Sequence, residues 1–155
     1  MAAINWTGAV FDRLNHSSVT TLLGTWTPAG GSARAALFTG EVPGGAGRPN
    51  ILIGDAIADE PGEFEAKDQE GRAVIVDIIC TADNTGSNIP VDRLAEAVRA
   101  RFYRPQFDVK NFATPTPATV AGVVICRVSG PVGMPTDDNY IGRVVTLAME
   151  ISEAV

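Results

Sequence analysis

The single histidine of the chain, His16, stands between Asn15 and Ser17, and a histidine beside a serine is a residue pair used in nucleophilic catalysis. Such a site requires the base, the nucleophile and an orienting group to converge in space, which adjacent residues rarely do. His16 also follows an apolar stripe and lies in a polar break of the sequence. This pattern is typical of a solvated helix end, and we therefore expect His16 to have no catalytic role.

Three other patterns contain chemistry-bearing residues without the spacing that their chemistry requires. The glycine-rich residues 44–47 are not followed by Lys and Ser or Thr, so they do not form a P-loop. Residues 137–139 (Asp-Asp-Asn) lack the alternating oxygen ligands and the closing glutamate of a calcium loop. One histidine and two separated cysteines are too few for a structural zinc site. We expect no metal, no cofactor and no enzymatic activity.

Composition limits the remaining classes of function. A chain of 155 residues is long enough for one domain, which we place at residues 1–155. The formal net charge of −6 disfavours a basic nucleic-acid surface and docking on anionic membranes. The first ten residues lack the features of a signal peptide, and no apolar run has the length of a transmembrane helix. We expect the chain to remain in the cytoplasm in which it is made.

Three long apolar segments, at residues 73–83, 119–129 and 140–152, read as β-strands that are apolar on both sides. In the first, Val74, Val76, Ile78 and Cys80 share one face, while Ile75 and Ile79 occupy the other. Cys80 and Cys126 both fall within such strands and read as buried reduced thiols, although a disulfide between neighbouring strands remains an alternative.

Two segments have the periodicity of amphipathic helices. Residues 5–15 carry an apolar stripe four residues apart, and a helix beginning at Pro90 and reaching about Tyr103 carries another. Shorter strands are expected at residues 35–40 and 50–57. These elements predict an α+β fold, with a mixed, mainly antiparallel sheet of about five strands and two main helices packed on one face.

Two helices can cover only about one side of this sheet, so the other side must meet loops or another copy of the protein. Asp77 and Arg127 would lie on that second side, where they would pair across the sheet if their strands are neighbours, or else pair with a partner subunit. The candidate subunit-interface residues are Ile75, Asp77, Ile79, Val123, Ile125, Arg127 and Val144.

Residues 59–70 are strongly acidic and contain a single lysine. We expect an extended arm or a long hairpin tip between strands. Its acidic residues are Asp59, Glu60, Glu63, Glu65, Asp68 and Glu70.

The element order and five short segments resemble the tail-completion or tail-terminator proteins of long-tailed phages and phage-like gene transfer particles. The segments are Trp6-Thr-Gly-Ala-Val-Phe-Asp-Arg-Leu14, Val19-Thr-Thr-Leu-Leu-Gly24, Phe38-Thr-Gly-Glu-Val-Pro43, Pro49-Asn-Ile-Leu-Ile-Gly54 and Asp92-Arg-Leu-Ala-Glu-Ala-Val-Arg99. The resemblance covers nearly the whole chain and rests on pattern and order. The loop at residues 25–32 and the connector at residues 106–118 depart from it.

This resemblance implies a virion structural protein that forms a homo-oligomeric ring, usually of six copies, at the head-proximal end of a tail. The ring would cap the tail tube, end its polymerisation and join the tail to the head connector. Its partners would be other copies of itself, the tail tube protein and the head–tail connector protein. DNA would pass through the hole without specific binding, and the acidic arm would lie at the lumen or rim.

Two alternatives remain open at the level of the sequence. One is a neighbouring head–tail connector or tail tube subunit, which would share the structural role. The other is a small enzyme or ligand-binding domain, which would require a concave pocket lined by convergent polar groups.

Overall fold

The computed structural model describes residues 6–61, 69–102, 108–111, 118–135 and 137–154; the side chains of residues 58–61, 69–73, 108–111, 118–125 and 151–154 lie outside this description. Helix α1 is Trp6–Leu14, α2 is Ser17–Thr20 and α3 is Ile89–Phe102. The strands are β1 Thr25–Trp26, β2 Arg34–Ala35, β3 Leu37–Thr39, β4 Asn50–Ile53, β5 Ile57–Pro61, β6 Gln69–Asp83, β7 Asp108–Asn111, β8 Ala118–Gly133 and β9 Tyr140–Ala154.

Seven of these strands form one sheet in the order β3-β4-β6-β9-β8-β7, and β5 also pairs with β6. All the pairings are antiparallel except that of β3 with β4. The predicted α+β class with a mixed, mainly antiparallel sheet is confirmed. The short strands β5 and β7, which the sequence pattern did not distinguish from their connectors, bring the described sheet to seven strands.

One face of the sheet, here called the inner face, forms the hydrophobic core. The register of β6 with β9 places Val74 opposite Met149, Val76 opposite Leu147 and Ile78 opposite Val145. These six side chains are buried. The period-2 alternation that the sequence predicts for β6 and β9 is therefore confirmed on this face, because every second residue enters the core.

Helices α1 and α3 cover the inner face. Both contribute apolar residues at three- and four-residue spacing to the core: Trp6, Ala9, Val10, Leu14, Val91, Leu94, Ala95, Val98 and Phe102. Pro90 lies in the first turn of α3, where a backbone N–H would have no intrahelical acceptor, so the missing N–H of proline costs no hydrogen bond. The two main helices thus lie on one face, as predicted.

The carboxyl-terminal ends of α1 and α3 are joined by two reciprocal hydrogen bonds. Arg13 Nε donates to the carbonyl of Arg101 over 2.9 Å, and Arg101 Nε donates to the carbonyl of Arg13 over 2.9 Å. Each arginine satisfies a carbonyl that the end of the other helix leaves without an intrahelical donor. Burial, followed by the charge of Arg13, lowers the pKa of Arg101.

Two local predictions are corrected by the structure. Residues 25–32 are not entirely loop, because Thr25 and Trp26 pair with Ala35 and Arg34 to form a small antiparallel ladder. The sequence also predicts a short helical turn at residues 19–23 capped by Ser18, and this choice of cap is wrong. The cap of α2 is His16, whose Nδ1 accepts a hydrogen bond from the backbone N–H of Ser18 at 3.1 Å.

Strand β8 contains two irregularities that a uniform alternation does not anticipate. The register shifts between Val123 and Ile125 and again between Ser129 and Val132. At the second shift Gly130 has a φ of +90°, and a Cβ placed there would lie 2.6 Å from the carbonyl oxygen of Val144. Only glycine fits at this position, and the kink keeps β8 paired with β9 beyond the predicted strand end.

Among the described residues, none of the helices combines the length and the apolar character that crossing a membrane would require.

Candidate functional site: an uncovered sheet face

The side of the sheet away from α1 and α3, here called the outer face, carries a row of four aliphatic residues. The register places Leu52 opposite Ile79, Ile79 opposite Val144 and Val144 opposite Val132, so the row crosses β4, β6, β9 and β8. Val132 is 63% exposed, and the other three are partly buried. Aligned cross-strand aliphatic groups form a continuous apolar strip rather than scattered exposed residues.

A second row lies on the same face, four residues away along β6. Ile57 is opposite Ile75, Ile75 is opposite Ala148 and Ala148 is opposite Arg127. Ile57 and Ile75 are 58% and 42% exposed, and Ala148 and Arg127 are also exposed. Three of the large hydrophobic residues that the described chain leaves exposed, Ile57, Ile75 and Val132, therefore lie on the outer face.

A polar row runs between the two apolar rows. Asp77 is opposite Thr146, which is opposite Ser129. The hydroxyl of Thr146 donates to Asp77 Oδ1 over 2.7 Å. Asp77 forms no ion pair with any residue in the described part of the chain, so its negative charge lacks a cationic partner within a single copy.

Arg127 supplies the opposite charge on the same face without meeting Asp77. Strand β9 lies between β6 and β8, so the alternative in which Asp77 and Arg127 pair as cross-strand neighbours is wrong. Two strand spacings and two residues separate their Cα positions by about 12 Å. Within the described ranges, the Arg127 side chain has neither a hydrogen bond nor an ion pair.

The structure describes the side chains of five of the seven candidate interface residues. Ile75, Asp77, Ile79, Arg127 and Val144 lie together on the outer face. Val123 is opposite Ile151 and Ile125 is opposite Glu150, because the bulge between them adds a residue to β8. The side chains of Val123 and Ile125 lie outside the description.

The acidic arm can be located only in part. Asp59 and Glu60 belong to β5 and Glu70 belongs to β6, and these two strands pair antiparallel. Glu63, Glu65 and Asp68 lie outside the described residues, as do the side chains of the other three. The pairing of β5 with β6 gives the two sides of the predicted hairpin.

Sequence reasoning missed three apolar members of the outer face: Leu52, Ile57 and Val132. The alternation of Leu52 with the buried Ile51 and Ile53 is the signal that could have found the first. The other two depend on which strands are neighbours and on the shifts in β8. Local periodicity carries no information on either point.

No group of three or more metal-ligating side chains occurs in the described residues. A cleft of about 390 Å³ lies between α1 and β3. It is lined by Thr7, Gly8, Phe11, Arg34, Leu37, Phe38, Thr39, Glu41 and Pro43, which include no histidine and no cysteine.

Arg143 is held inside the subunit. Its Nε donates to Asp92 Oδ1 at 2.9 Å, joining β9 to the first turn of α3, and its side chain is 17% exposed. Arg143 lies near the start of β9, a position that predicts access to solvent, but the structure instead holds most of its side chain away from solvent in this ion pair.

The two cysteines are free thiols. Cys80 is opposite Arg143 and Cys126 is opposite Met149. Arg143 and Met149 are about 20 Å apart along β9, so the two cysteines are far beyond the reach of a disulfide. Burial raises the pKa of Cys80 from 9.0 to about 12. Burial, opposed by the charge of Arg13, raises the pKa of Cys126 to about 11.

We expect these thiols to react slowly while the protein is folded. At pH 8 the thiolate fraction should be roughly a hundredfold lower for Cys126 and a thousandfold lower for Cys80 than for a free cysteine. Above pH 9 the unfolded chain loses these protons and the folded chain keeps them, so the free energy of unfolding should fall as pH rises toward 11–12.

Labelling with a thiol reagent at pH 8, with and without denaturant, measures the reactivity. The variant Cys126→Ser isolates Cys80 and serves as the matched control. Rapid labelling of Cys80 in the native protein would contradict the burial on which this prediction depends.

No protein-family model matches the chain, and no curated protein matches it. The outer face and the resemblance noted in the sequence are therefore the features that bear on function.

Proposed function

We propose that this protein is a structural subunit that assembles with copies of itself into a ring at the head-proximal end of a phage-type tail. The ring would cap the tail tube, stop its polymerisation and connect it to the head, with DNA passing through. The proposal assigns no catalytic activity. It takes the tail role from the sequence resemblance and the self-assembly from the outer face.

The observation that carries the proposal is the outer face itself. The long strands β6, β9 and β8 use one face for the core, while the other retains two aliphatic rows and a polar row that the described helices do not cover. Aliphatic rows with polar residues between and beside them are typical of a surface that meets a protein partner. Burying the outer face against a neighbouring copy stabilises the contact by about 25 cal/mol for each Å² of apolar area, and a ring forms the same contact between every pair of neighbours.

The net charge of the chain is compatible with a DNA channel. A formal charge of −6 per copy repels the phosphate backbone and favours passage over binding. The acidic residues 59–70 are the candidate lining of the lumen or rim. A neighbouring head–tail connector or tail tube subunit would share these properties, and the position of the protein in the particle separates the three roles.

The test compares particles produced with and without the gene. Without the protein we expect tails of uncontrolled length that do not join heads, because nothing ends tube polymerisation. Electron microscopy measures the length distribution, and labelled protein should appear at the head-proximal end. Tails of normal length joined to heads would reject the terminator role. Label along the whole tail would assign the protein to the tube instead.

A further inference from the structure

The side of α3 that faces away from the sheet forms a second exposed surface. Ile89, Arg93, Glu96 and Ala100 are spaced four, three and four residues apart and are all exposed. Ile89 is 65% exposed. This set, here called the α3 outer stripe, lies opposite the buried stripe that packs on the inner face. It therefore points outward on the side of the molecule remote from the outer face.

Two charges on the α3 outer stripe have no partner within the described residues. Arg93 and Glu96 are exposed and form no ion pair there, either with each other or with another residue. By contrast, Asp92, one position from Arg93, is paired with Arg143. The stripe therefore offers one cation and one anion beside an exposed aliphatic residue.

The outer face offers the complementary set. It presents Asp77 between the two apolar rows and Arg127 at the β8 end of the second row, and neither residue has an ionic partner in the described chain. Each surface thus holds one positive and one negative group together with apolar area. Bringing them together would pair both sets of charges and cover Ile75 and Ile89.

We propose that the α3 outer stripe of one copy packs on the outer face of the next, with Glu96 facing Arg127 and Arg93 facing Asp77. The inference rests on the proposed function for the claim that copies assemble, and it adds which surfaces meet. The occupant of the outer face is a second copy of this chain. A helix of 14 residues is about 21 Å long, enough to cross the two aliphatic rows, which lie about 14 Å apart along β6.

This contact is heterologous, because the two surfaces lie on opposite sides of one subunit. Repeating a heterologous contact gives a closed ring when the rotation closes and an open filament when it does not. A contact between two outer faces would instead be isologous and would stop at a dimer. The geometry therefore distinguishes a ring-forming contact from a dimer contact.

Charge reversal in the full-length protein tests the pairing. R127E and E96R should each raise the concentration at half-assembly about tenfold or more, because like charges then face each other. The double variant carrying both changes should restore assembly toward that of the unaltered protein. D12R reverses the charge of an exposed residue of α1 and is the matched control, with no expected effect. Sedimentation velocity measures assembly, and circular dichroism checks that each variant is folded.

Cross-linking provides a second test that does not depend on the strength of the ion pair. The chain carrying both E96C and R127C should form covalent multimers larger than dimers upon oxidation, whereas each single cysteine variant should not. A product that stops at dimers in the double variant would overturn the heterologous contact. So would single reversals that leave assembly unchanged, or a purified protein that stays monomeric at every concentration.

Failure of this inference and failure of the proposed function are separable. Assembly is measured on the purified protein without tails, whereas termination is measured as tail length in particles. Normal termination with unaffected reversal variants would reject the contact and leave the function. Charge-dependent assembly with unchanged tail length in particles lacking the gene would reject the function and leave the contact.

Discussion

Replacing Phe102 with alanine should lower the free energy of unfolding by about 3–5 kcal/mol. Phe102 is the last residue of α3 and is completely buried, with 0% exposure. Its ring belongs to the core formed by α1, α3 and the inner face, and truncation leaves a cavity there. The hydrogen bonds between Arg13 and Arg101 anchor this end of α3, so the helix cannot easily move to close the cavity. Domains of this size have a total free energy of unfolding of about 5–15 kcal/mol, so this loss is a large fraction of the stability.

The matched control is Phe11→Ala in α1. Phe11 is only partly buried and lines the cleft, so its truncation removes less area from the core and should cost clearly less. Denaturant unfolding followed by circular dichroism measures both values. Similar losses for the two variants would contradict the assignment of Phe102 to the centre of the helix–sheet layer.

The inner half of this fold could be predicted because its pattern is local. Over residues 74–80 of β6, Val74, Val76, Ile78 and Cys80 form a wholly apolar side, whereas the other side carries Asp77 between Ile75 and Ile79. The apolar residues of α3 recur every three to four residues. Each pattern fixes the buried side of its own element without reference to any other. The helix count then indicated that one side of the sheet would lack cover.

The outer face could not be assembled in the same way, because its rows depend on contacts between distant strands. Ile79 meets Leu52 and Val144 only when the order of β4, β6 and β9 and their registers are known. The register of β8 against β9 shifts between Val123 and Ile125 and again between Ser129 and Val132. No local signal specifies where such a shift lies, and a shift of one residue moves every following side chain to the other face.

Charged partners were equally difficult to predict. Asp92 and Arg143 are 51 residues apart in sequence, and their pairing requires α3 to cross the start of β9. Asp77 and Arg127 looked like partners by type and strand position, yet β9 separates them. Complementary charge in a sequence thus identifies groups that need partners, and the topology decides which of them meet within one copy.

Placing a charge on the outer face should prevent assembly and leave the subunit folded. In Ile75→Asp, the new carboxylate replaces a side chain that is 42% exposed, so it stays hydrated in a single copy. In an assembly that covers this face, the carboxylate would lose water beside the acidic Asp77. The lost apolar contact alone should cost about 2 kcal/mol per subunit contact, roughly a thirtyfold weaker association, and the buried charge adds to it.

Val42→Asp is the matched control for this change. Val42 is 38% exposed and lies in the segment after β3, where it belongs to none of the three rows, so the same chemical change should leave assembly intact. Light scattering over a concentration series measures the assembled mass, and thermal unfolding reports the fold. If Ile75→Asp assembles as well as Val42→Asp, the outer face is open to solvent in the working particle. In that case the apolar rows do not join the subunits, and the self-assembly argument loses its main support.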